Sequence, residues 1–442
     1  MFTTILLSLT SCISGLFEDS VPSRHPEWSK NATIYEVNIR QYTPEGTFAA
    51  FEQHLPRLQK MGIKILWLMP VQPIGREGRK GSLGSPYSIK DYYGINPDYG
   101  TLVDFKRLVT KAHELGMYLI IDWVANHTAW DNILIREHPE WYKHDSSGNI
   151  ISPVADWSDV AGLDYSQSEL WEYMTDALGF WVKECNIDGY RCDVAGMIPV
   201  AFWNRAVPEL KKIKEVFMLA EWETPDMHDT AFDATYSWDL YHLMNQVAAG
   251  EKRVDNFDTL LKKESKIYPP DAYRMRFTTN HDENSWNGTV FERLGKGAEA
   301  FAAFTFTFPG IPLIYSGQEA ALDKRLSFFE KDSIGWGDVP LGDFYSRLVQ
   351  LKASHPALWC GNDGGEFLRI QTSADTSVYA FSRTLGDDRV FSIFNFSPIA
   401  QTFTLTGEDY AGTYKELFTD KEITFIGKDT VSLEPWRYLI LF

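Results

Sequence analysis

Residues 118–127 read Tyr118-Leu119-Ile120-Ile121-Asp122-Trp123-Val124-Ala125-Asn126-His127, an apolar β-rich run followed by polar side chains. Similar short runs recur between residues 33 and 315, and longer amphipathic stretches separate them. This alternation is typical of β–α units on a parallel sheet. The other runs are Ile34-Tyr35-Glu36-Val37, Ile65-Leu66-Trp67-Leu68, Gly189-Tyr190-Arg191-Cys192-Asp193, Phe217-Met218-Leu219-Ala220, Ala234-Thr235-Tyr236, Met275-Arg276-Phe277-Thr278 and Ile311-Pro312-Leu313-Ile314-Tyr315. Eight strands with interleaved helices predict an α/β fold, a (β/α)8 TIM barrel.

The rest of the chain is organised around this barrel. We assign residues 30–126 and 166–360 to the barrel. Residues 127–165 are polar and rich in Trp, Pro, Asp and Ser, which predicts a small inserted domain B after the third strand. From residue 361 the pattern changes to alternating β segments, so residues 361–442 are predicted to form a C-terminal antiparallel β-sandwich domain.

Residues 1–29 are assigned to a lipoprotein-type signal and linker. The apolar run Ile5-Leu6-Leu7-Ser8-Leu9 is too short to span a bilayer. The following Thr10-Ser11-Cys12 resembles a lipobox, which predicts a lipid anchor at Cys12 and a place on a bacterial cell envelope, periplasmic or surface. No basic residue precedes the run, so either the true start lies upstream or the run is a buried apolar strand. The remaining Cys185, Cys192 and Cys360 are an odd number, and we expect them to be buried free thiols.

Charge and composition restrict the class of partner. The formal net charge of −18 would repel phosphate backbones, so the sequence argues against binding to nucleic acid. The 15 Trp and 21 Tyr residues offer flat faces for sugar rings, although most large aromatic side chains fill protein cores.

Four of the strand runs end in polar residues, and the active site of a TIM barrel lies at that end of its strands. They contribute Asp122 with His127, Arg191 with Asp193, Glu221, and His281 with Asp282. Clustered carboxyl groups raise each other's pKa and are costly unless they are used. Retaining glycoside hydrolysis uses one ionised and one protonated carboxyl group. We therefore expect Asp193, beside Arg191, to be the nucleophile and Glu221, in an apolar setting, to be the proton donor.

These residues also resemble a known family, the α-amylase superfamily or glycoside hydrolase family 13. Asp122 to His127, Gly189 to Asp193, Glu221-Trp222 and Asn280-His281-Asp282 are similar to its four conserved regions, in the same order. Gly310 to Glu319 resembles its last barrel strand, Gly162-Leu163-Asp164 the end of its inserted domain, and Ser85 to Tyr92 the segment whose Tyr stacks on the sugar. The resemblance covers about residues 30–440.

The resemblance implies a role for each matching residue. Asp193 would form the covalent glycosyl intermediate, Glu221 would protonate the leaving group and then activate water, and Asp282 would hold sugar hydroxyls. Substrate would also contact Tyr87, Asp122, His127, Arg191 and His281. The substrate would be an α-glucan or malto-oligosaccharide.

The chain departs from the family after the nucleophile. Many α-amylases have Lys-His there, whereas this chain reads Val194-Ala195-Gly196-Met197, which changes the leaving-side contacts. The family's structural Ca²⁺ uses that His together with the Asn that corresponds to Asn126 and carboxylates of the insertion. No cofactor is required, and structural calcium at Asn126 remains open.

Several functions share these catalytic residues. We expect hydrolysis of α-1,4-glucosidic bonds in starch or malto-oligosaccharides, the activity of an α-amylase. Cyclomaltodextrinase, α-glucosidase and transglycosylase are the alternatives, because these enzymes differ from α-amylase in their loops. A catalytically inactive sugar-binding relative would lose members of the carboxylate triad, which this chain keeps. A metal hydrolase would need His residues at metal-ligand spacing, which the sequence lacks.

Overall fold

The computed structural model of the protein describes residues 24–407 and 409–442. The predicted anchor at Cys12 and most of the predicted signal segment lie outside these residues. In the described part of the chain, no helix combines the length and apolar character needed to cross a membrane.

Eight parallel strands form a closed barrel, as predicted. In chain order the first ten strands are β1 (Ile34–Val37), β2 (Ile65–Leu68), β3 (Tyr118–Trp123), β4 (His127–Ala129), β5 (Val160–Gly162), β6 (Gly189–Cys192), β7 (Phe217–Ala220), β8 (Ala234–Tyr236), β9 (Tyr273–Arg276) and β10 (Ile311–Tyr315). Around the barrel the order is β1-β10-β9-β8-β7-β6-β3-β2. Some boundaries differ from the sequence prediction: β9 begins at Tyr273, which pairs with Ala234 of β8, and ends at Arg276, and β6 ends at Cys192.

Apolar side chains fill both faces of the barrel wall. Ile34, Trp67, Ile120, Leu219 and Met275 belong to one buried cluster contributed by the strands. A larger cluster joins the other face of the strands to the helices. Strands that are buried on both faces explain why the eight runs are almost continuously apolar.

In the part of the chain that the structure describes, twelve α-helices accompany the strands. They are α1 (Ile39–Tyr42), α2 (Phe48–Glu52), α3 (Leu55–Met61), α4 (Leu102–Glu114), α5 (Leu134–Glu137), α6 (Ser168–Cys185), α7 (Val200–Ile213), α8 (Trp238–Ala248), α9 (Asn256–Ile267), α10 (Val290–Leu294), α11 (Ala298–Thr307) and α12 (Gly342–Ser354). Helix α4 shows how the sequence sets such an element: Thr101 and Asp104 form a capping box, and Phe105, Leu108 and Val109 are buried. Gly116 follows this helix with a positive φ of 73°.

Strands β4 and β5 lie in the predicted insertion and pair with each other. They flank the carboxyl end of β3, so the insertion lies beside the mouth of the barrel. The domain boundaries proposed from the sequence stay predictions.

The C-terminal part contains two antiparallel sheets, as expected from its alternating pattern. Its strands are β11 (Glu366–Thr372), β12 (Val378–Leu385), β13 (Asp388–Asn395), β14 (Gln401–Thr406), β15 (Gly412–Lys415), β16 (Glu422–Phe425), β17 (Thr430–Leu433) and β18 (Tyr438–Leu441). The order β17-β14-β11-β12-β13-β18 makes one sheet, and β15-β16 makes the other. Side chains from both sheets, among them Phe391 and Phe425, share one core. Cys185, Cys192 and Cys360 are buried free thiols, which confirms that prediction.

Candidate active site

A cleft of about 380 Å³ opens at the carboxyl ends of the barrel strands. Five of the residues singled out from the sequence line it: Asp193, Glu221, Asp282, Tyr87 and His127. The other lining residues are Lys80, Ser85, Trp157, Asp159, Val160, Val194, Trp286, Phe328 and Phe329. Asp122, Arg191 and His281 are buried beside these groups. The structure therefore brings the predicted site residues together.

Arg191 connects the carboxyl groups of three strands. It belongs to β6 and is fully buried. Its Nη1 donates to Asp122 at 2.8 Å and to Asp193 at 3.1 Å. Its Nη2 lies 2.9 Å from Oε1 of Glu221. The pairing of Arg191 with Asp193 was expected from their spacing, but the contact with Glu221 was not.

The turn after β6 links Asp193 to Glu221. Val194 has φ 37° and ψ 47°, a left-handed conformation that is strained for a β-branched residue. In this turn the backbone N–H of Val194 donates to Oε2 of Glu221 at 2.7 Å. The strained turn thus positions the carboxyl group at the end of β7 against the residue that follows Asp193.

Burial changes the protonation of both carboxyl groups. Burial raises the pKa of Asp193 well above its usual range, and the neighbouring Glu221 is the second cause. The positive charge of Arg191 opposes this shift. Burial also raises the pKa of Glu221, although Arg191 opposes this. The raised pKa of Glu221 agrees with the acid role expected from its apolar surroundings. Asp193 differs from the expectation, because Arg191 does not outweigh burial and the nearby carboxylates.

Asp282, His281 and Tyr87 form the opposite wall. Burial alone would raise the pKa of Asp282, but His281, Arg191 and a hydrogen bond with the Trp286 side chain lower it below its usual value. His281 Nε2 lies 3.3 Å from Asp282 Oδ2 and 2.8 Å from the Tyr87 hydroxyl. That hydroxyl donates to Asp122 at 2.9 Å. Asp282 is therefore an ionised acceptor beside two hydrogen-bonding groups.

His127 is a neutral hydrogen-bonding group in the cleft wall. Burial lowers its pKa to about 3. Asn126 Nδ2 lies 3.3 Å from Nδ1 of His127, and a neutral ring that accepts this contact through Nδ1 carries its proton on Nε2. A neutral ring of this kind can donate to a sugar hydroxyl.

Asn126, the predicted metal ligand, presents a buried Oδ1 that has no hydrogen-bond partner. Calcium takes six to eight oxygen ligands. Among residues 24–407 and 409–442, however, no three His, Cys, Asp or Glu side chains cluster in a way that could hold a metal ion. Asp159 of the insertion pairs with Lys80 at 3.2 Å. Structural calcium at Asn126 stays a prediction, and no step of the mechanism depends on it.

Sequence reasoning missed several groups around the site. Glu36 of β1 is fully buried, and its Oε1 lies 2.5 Å from Nδ1 of His281. The signal was an acidic residue inside an apolar strand. Tyr236, at the end of β8, accepts from Nε of Arg191 at 3.2 Å, and its polar group likewise ends a strand. Lys80, Trp157, Trp286 and Phe328 come from loops, where no periodic pattern identifies them.

Comparison with known proteins places the chain in a family. The profile described as alpha amylase, catalytic domain, matches residues 16–157 and 154–334, and that described as maltogenic amylase, C-terminal domain, matches residues 368–440. The α-amylase MalA of Haloarcula japonica is 27% identical over 94% of this chain, which spans 63% of that protein's length. Alpha-amylase 2 of Dictyoglomus thermophilum is 26% identical over 89% of this chain and 73% of its own.

Solved structures agree. The noncanonic maltogenic α-amylase AmyB of Thermotoga neapolitana superposes with a TM-score of 0.85 at 34% identity, covering 93% of this chain and 98% of that one. An α-amylase of Lactobacillus plantarum gives 0.84 at 34% identity with the same coverage. The catalytic-domain profile covers more than half of the sequence, and the chain therefore belongs to the α-amylase family, glycoside hydrolase family 13.

Proposed function

We propose that the protein is a retaining glycoside hydrolase that cleaves α-1,4-glucosidic bonds of malto-oligosaccharides or starch. Asp193 is the nucleophile, Glu221 the acid and base, and Asp282 the carboxylate that holds the sugar hydroxyls. The observation that carries this proposal is the shared contact of Arg191 with Asp193 and Glu221 at the wall of one cleft. Family membership supports the same chemistry.

The first step forms a covalent intermediate. Asp193 attacks the anomeric carbon, the bond to the glycosidic oxygen breaks, and Glu221 transfers its proton to that oxygen. In the second step Glu221 takes a proton from water, the water oxygen attacks the anomeric carbon, and the bond to Asp193 breaks. Two inversions leave the anomeric configuration unchanged. Arg191, bonded to both carboxyl groups, is positioned to balance their changes in charge.

Related activities use the same three carboxyl groups. Relatives of this chain are named α-amylase, neopullulanase and cyclomaltodextrinase. Cyclomaltodextrinase is therefore a second candidate, and α-glucosidase or transglycosylase activity would require only different loops. A product profile on starch, maltoheptaose, β-cyclodextrin, isomaltose and trehalose, with the anomeric configuration followed by NMR, separates these candidates.

Two isosteric variants test the proposal. Asp193→Asn and Glu221→Gln should each abolish hydrolysis of a chromogenic maltoside while circular dichroism remains that of the parent. Glu209→Gln is the matched control, because this exposed carboxyl group pairs with Lys212 on α7, away from the cleft. Full activity in either site variant would refute the assignment.

The proposed cell-envelope location depends on Cys12 and on the sequence alone. If Cys12 carries a lipid, a Cys12→Ala protein should be released into the soluble fraction while its parent stays with the membrane. Equal partitioning of the two proteins would contradict the anchor.

A further inference from the structure

Trp286 stands out among the large side chains of the cleft. It is 52% exposed, although most apolar side chains of its size in this protein are buried. It lies in the π-helical turn Glu283–Asn287, which directly follows Asp282. Turns of this kind occur often at functional sites. Single exposed apolar residues are common on protein surfaces, so a role for Trp286 must be argued from its position and its neighbouring residues.

Its neighbours form a continuous series of rings. The ring centroids of Trp286 and Phe328 are 5.2 Å apart, and Phe329 lies 5.8 Å from Trp286. Phe328 is stacked parallel to Tyr87 at 6.3 Å. Tyr87 itself lies beside His281 at the bottom of the cleft. Aromatic surface therefore extends without interruption from the predicted cleavage point to the solvent.

Hydrogen bonds fix the two segments that carry these rings. Asn284 donates to the carbonyl of Lys324 at 3.1 Å and accepts from the N–H of Leu326 at 2.9 Å. Ser285 donates to the carbonyl of Leu326 at 2.8 Å. These three bonds join the turn of Trp286 to the segment that leads into Phe328.

A buried guanidinium holds the other side of that segment. Arg40 is 4% exposed, and its Nη1 donates to the carbonyls of Gly84 at 2.9 Å and Phe328 at 3.3 Å. The N–H of Leu83 donates to the carbonyl of Phe329 at 3.1 Å. The rings are thus held in place before any ligand arrives, which lowers the entropic cost of binding.

We propose that Trp286, supported by Phe328 and Phe329, binds the glucose unit next to the cleavage point on the non-reducing side of the substrate. Sugar faces stack on flat aromatic rings, and an ordered, half-exposed indole offers such a face. The inference rests on the proposed function, because it requires a glucan chain in this cleft.

The choice of side follows from the contacts of Trp286. Its side chain hydrogen bonds with Asp282, and Phe328 connects it to Tyr87 and His281, all groups assigned to the ring that is transferred to the enzyme. Glu221, which faces the leaving group, is instead held by Val194 and Arg191. Among the described residues, the Trp286 ring contacts the rings of Phe328 and Phe329.

Glycosyl fluorides isolate this subsite. α-Glucosyl fluoride fills only the cleavage subsite, whereas α-maltosyl fluoride adds one unit on the non-reducing side, and in both the leaving group is a fluoride ion. Trp286→Ala also removes the hydrogen bond to Asp282, so kcat/KM should fall for both fluorides, but it should fall about tenfold further for α-maltosyl fluoride, the size expected for one stacking contact. Trp286→Phe should restore most of this further loss. Ile426→Ala, which removes another exposed apolar side chain, is the matched control.

The outcomes separate this inference from the function beneath it. If the parent releases no fluoride from either compound, the proposed function itself fails. If the parent is active and Trp286→Ala loses activity equally on both fluorides, the residue only supports Asp282, and the subsite assignment is wrong. If both fluorides react normally but cleavage of maltotriose slows, the indole binds on the leaving side, which also overturns the assignment.

Discussion

Nδ1 of His281 lies 2.5 Å from Oε1 of Glu36, and both groups are buried at the mouth of the barrel. Burial alone would lower the pKa of His281, but Asp282 and Glu36 together raise it well above its usual value. The ring is therefore a cation at neutral pH. In that state the ring donates to Glu36 through Nδ1, and its Nε2 proton points toward the Tyr87 hydroxyl and the Asp282 carboxylate.

Replacing Glu36 should change the charge of His281. Because Glu36→Gln removes one of the two carboxylates that favour the imidazolium, we expect the pKa of His281 to fall. Long-range ¹H–¹⁵N NMR spectra of ¹⁵N-histidine-labelled protein, titrated over pH, measure this directly. The exposed variant Glu27→Gln should leave the titration unchanged. An unaltered His281 titration in Glu36→Gln would contradict the coupling.

The two raised carboxyl pKa values predict how activity depends on pH. Glu221 is the largest charge-based cause of the raised pKa of Asp193, after burial. Fluoride leaves without a proton donor, so Glu221→Gln should still form the glycosyl-enzyme from α-maltosyl fluoride. The acid limb of this step should shift to lower pH in the variant, because Asp193 then loses its proton more easily. Burst-phase fluoride release, followed as a function of pH, measures this acid limb. An acid limb at the same pH in both proteins would argue against charge coupling between Asp193 and Glu221.

The sequence was informative wherever a residue's position follows from strand periodicity. Asp122, Asp193 and Glu221 lie at strand ends, and parallel strands bring their carboxyl ends to one edge, so their convergence could be predicted. Trp286, Phe328 and Lys80 lie in loops whose course depends on tertiary hydrogen bonds, such as those of Arg40. The contact of Arg191 with Glu221 was not predicted either. The alternation of side chains along a strand predicts which residues of that strand share a face, but it does not predict distances to side chains of the neighbouring strand.

Gly196 gives a physical reason for the departure of residues 194–197 from the Lys-His pattern. A Cβ atom at this position would collide with the indole of Trp222. The side chain of Trp222, which follows Glu221 in the sequence, therefore occupies the space that a larger residue at position 196 would need.

The same collision predicts a coupled pair. Gly196→Ala should lower the free energy of unfolding by about 1–3 kcal/mol, the usual cost of overpacking. Combining it with Trp222→Ala should remove most of that penalty, because the indole is then absent. Urea unfolding of the two single variants and the double variant measures the coupling. Strictly additive effects would show that the cost of Gly196→Ala does not arise from its contact with the indole.

Glu264, Arg274 and Arg276 form a buried ion cluster that should dominate stability in another part of the barrel. Glu264 of α9 accepts from Arg276 Nη1 at 2.9 Å and from Nη2 at 2.6 Å, and Arg274 Nε lies 3.3 Å away. Glu264→Gln leaves the guanidinium groups buried without their counter-charge, so we expect a loss of about 3 kcal/mol in the free energy of unfolding. The exposed variant Glu209→Gln should change it by less than about 0.5 kcal/mol.

The pH dependence of that loss distinguishes charge from packing. Burial would raise the pKa of Glu264, but Arg276 and Arg274 outweigh it, so the folded-state pKa lies below the unfolded value. The stabilisation by a carboxylate of this kind is present above the unfolded pKa of about 4.3 and is lost as pH falls through the folded one. The difference between the parent and Glu264→Gln in urea unfolding should therefore be largest near neutral pH and should shrink below about pH 4. A difference that is independent of pH would mean that the shape of the side chain, and not its charge, stabilises this part of the barrel.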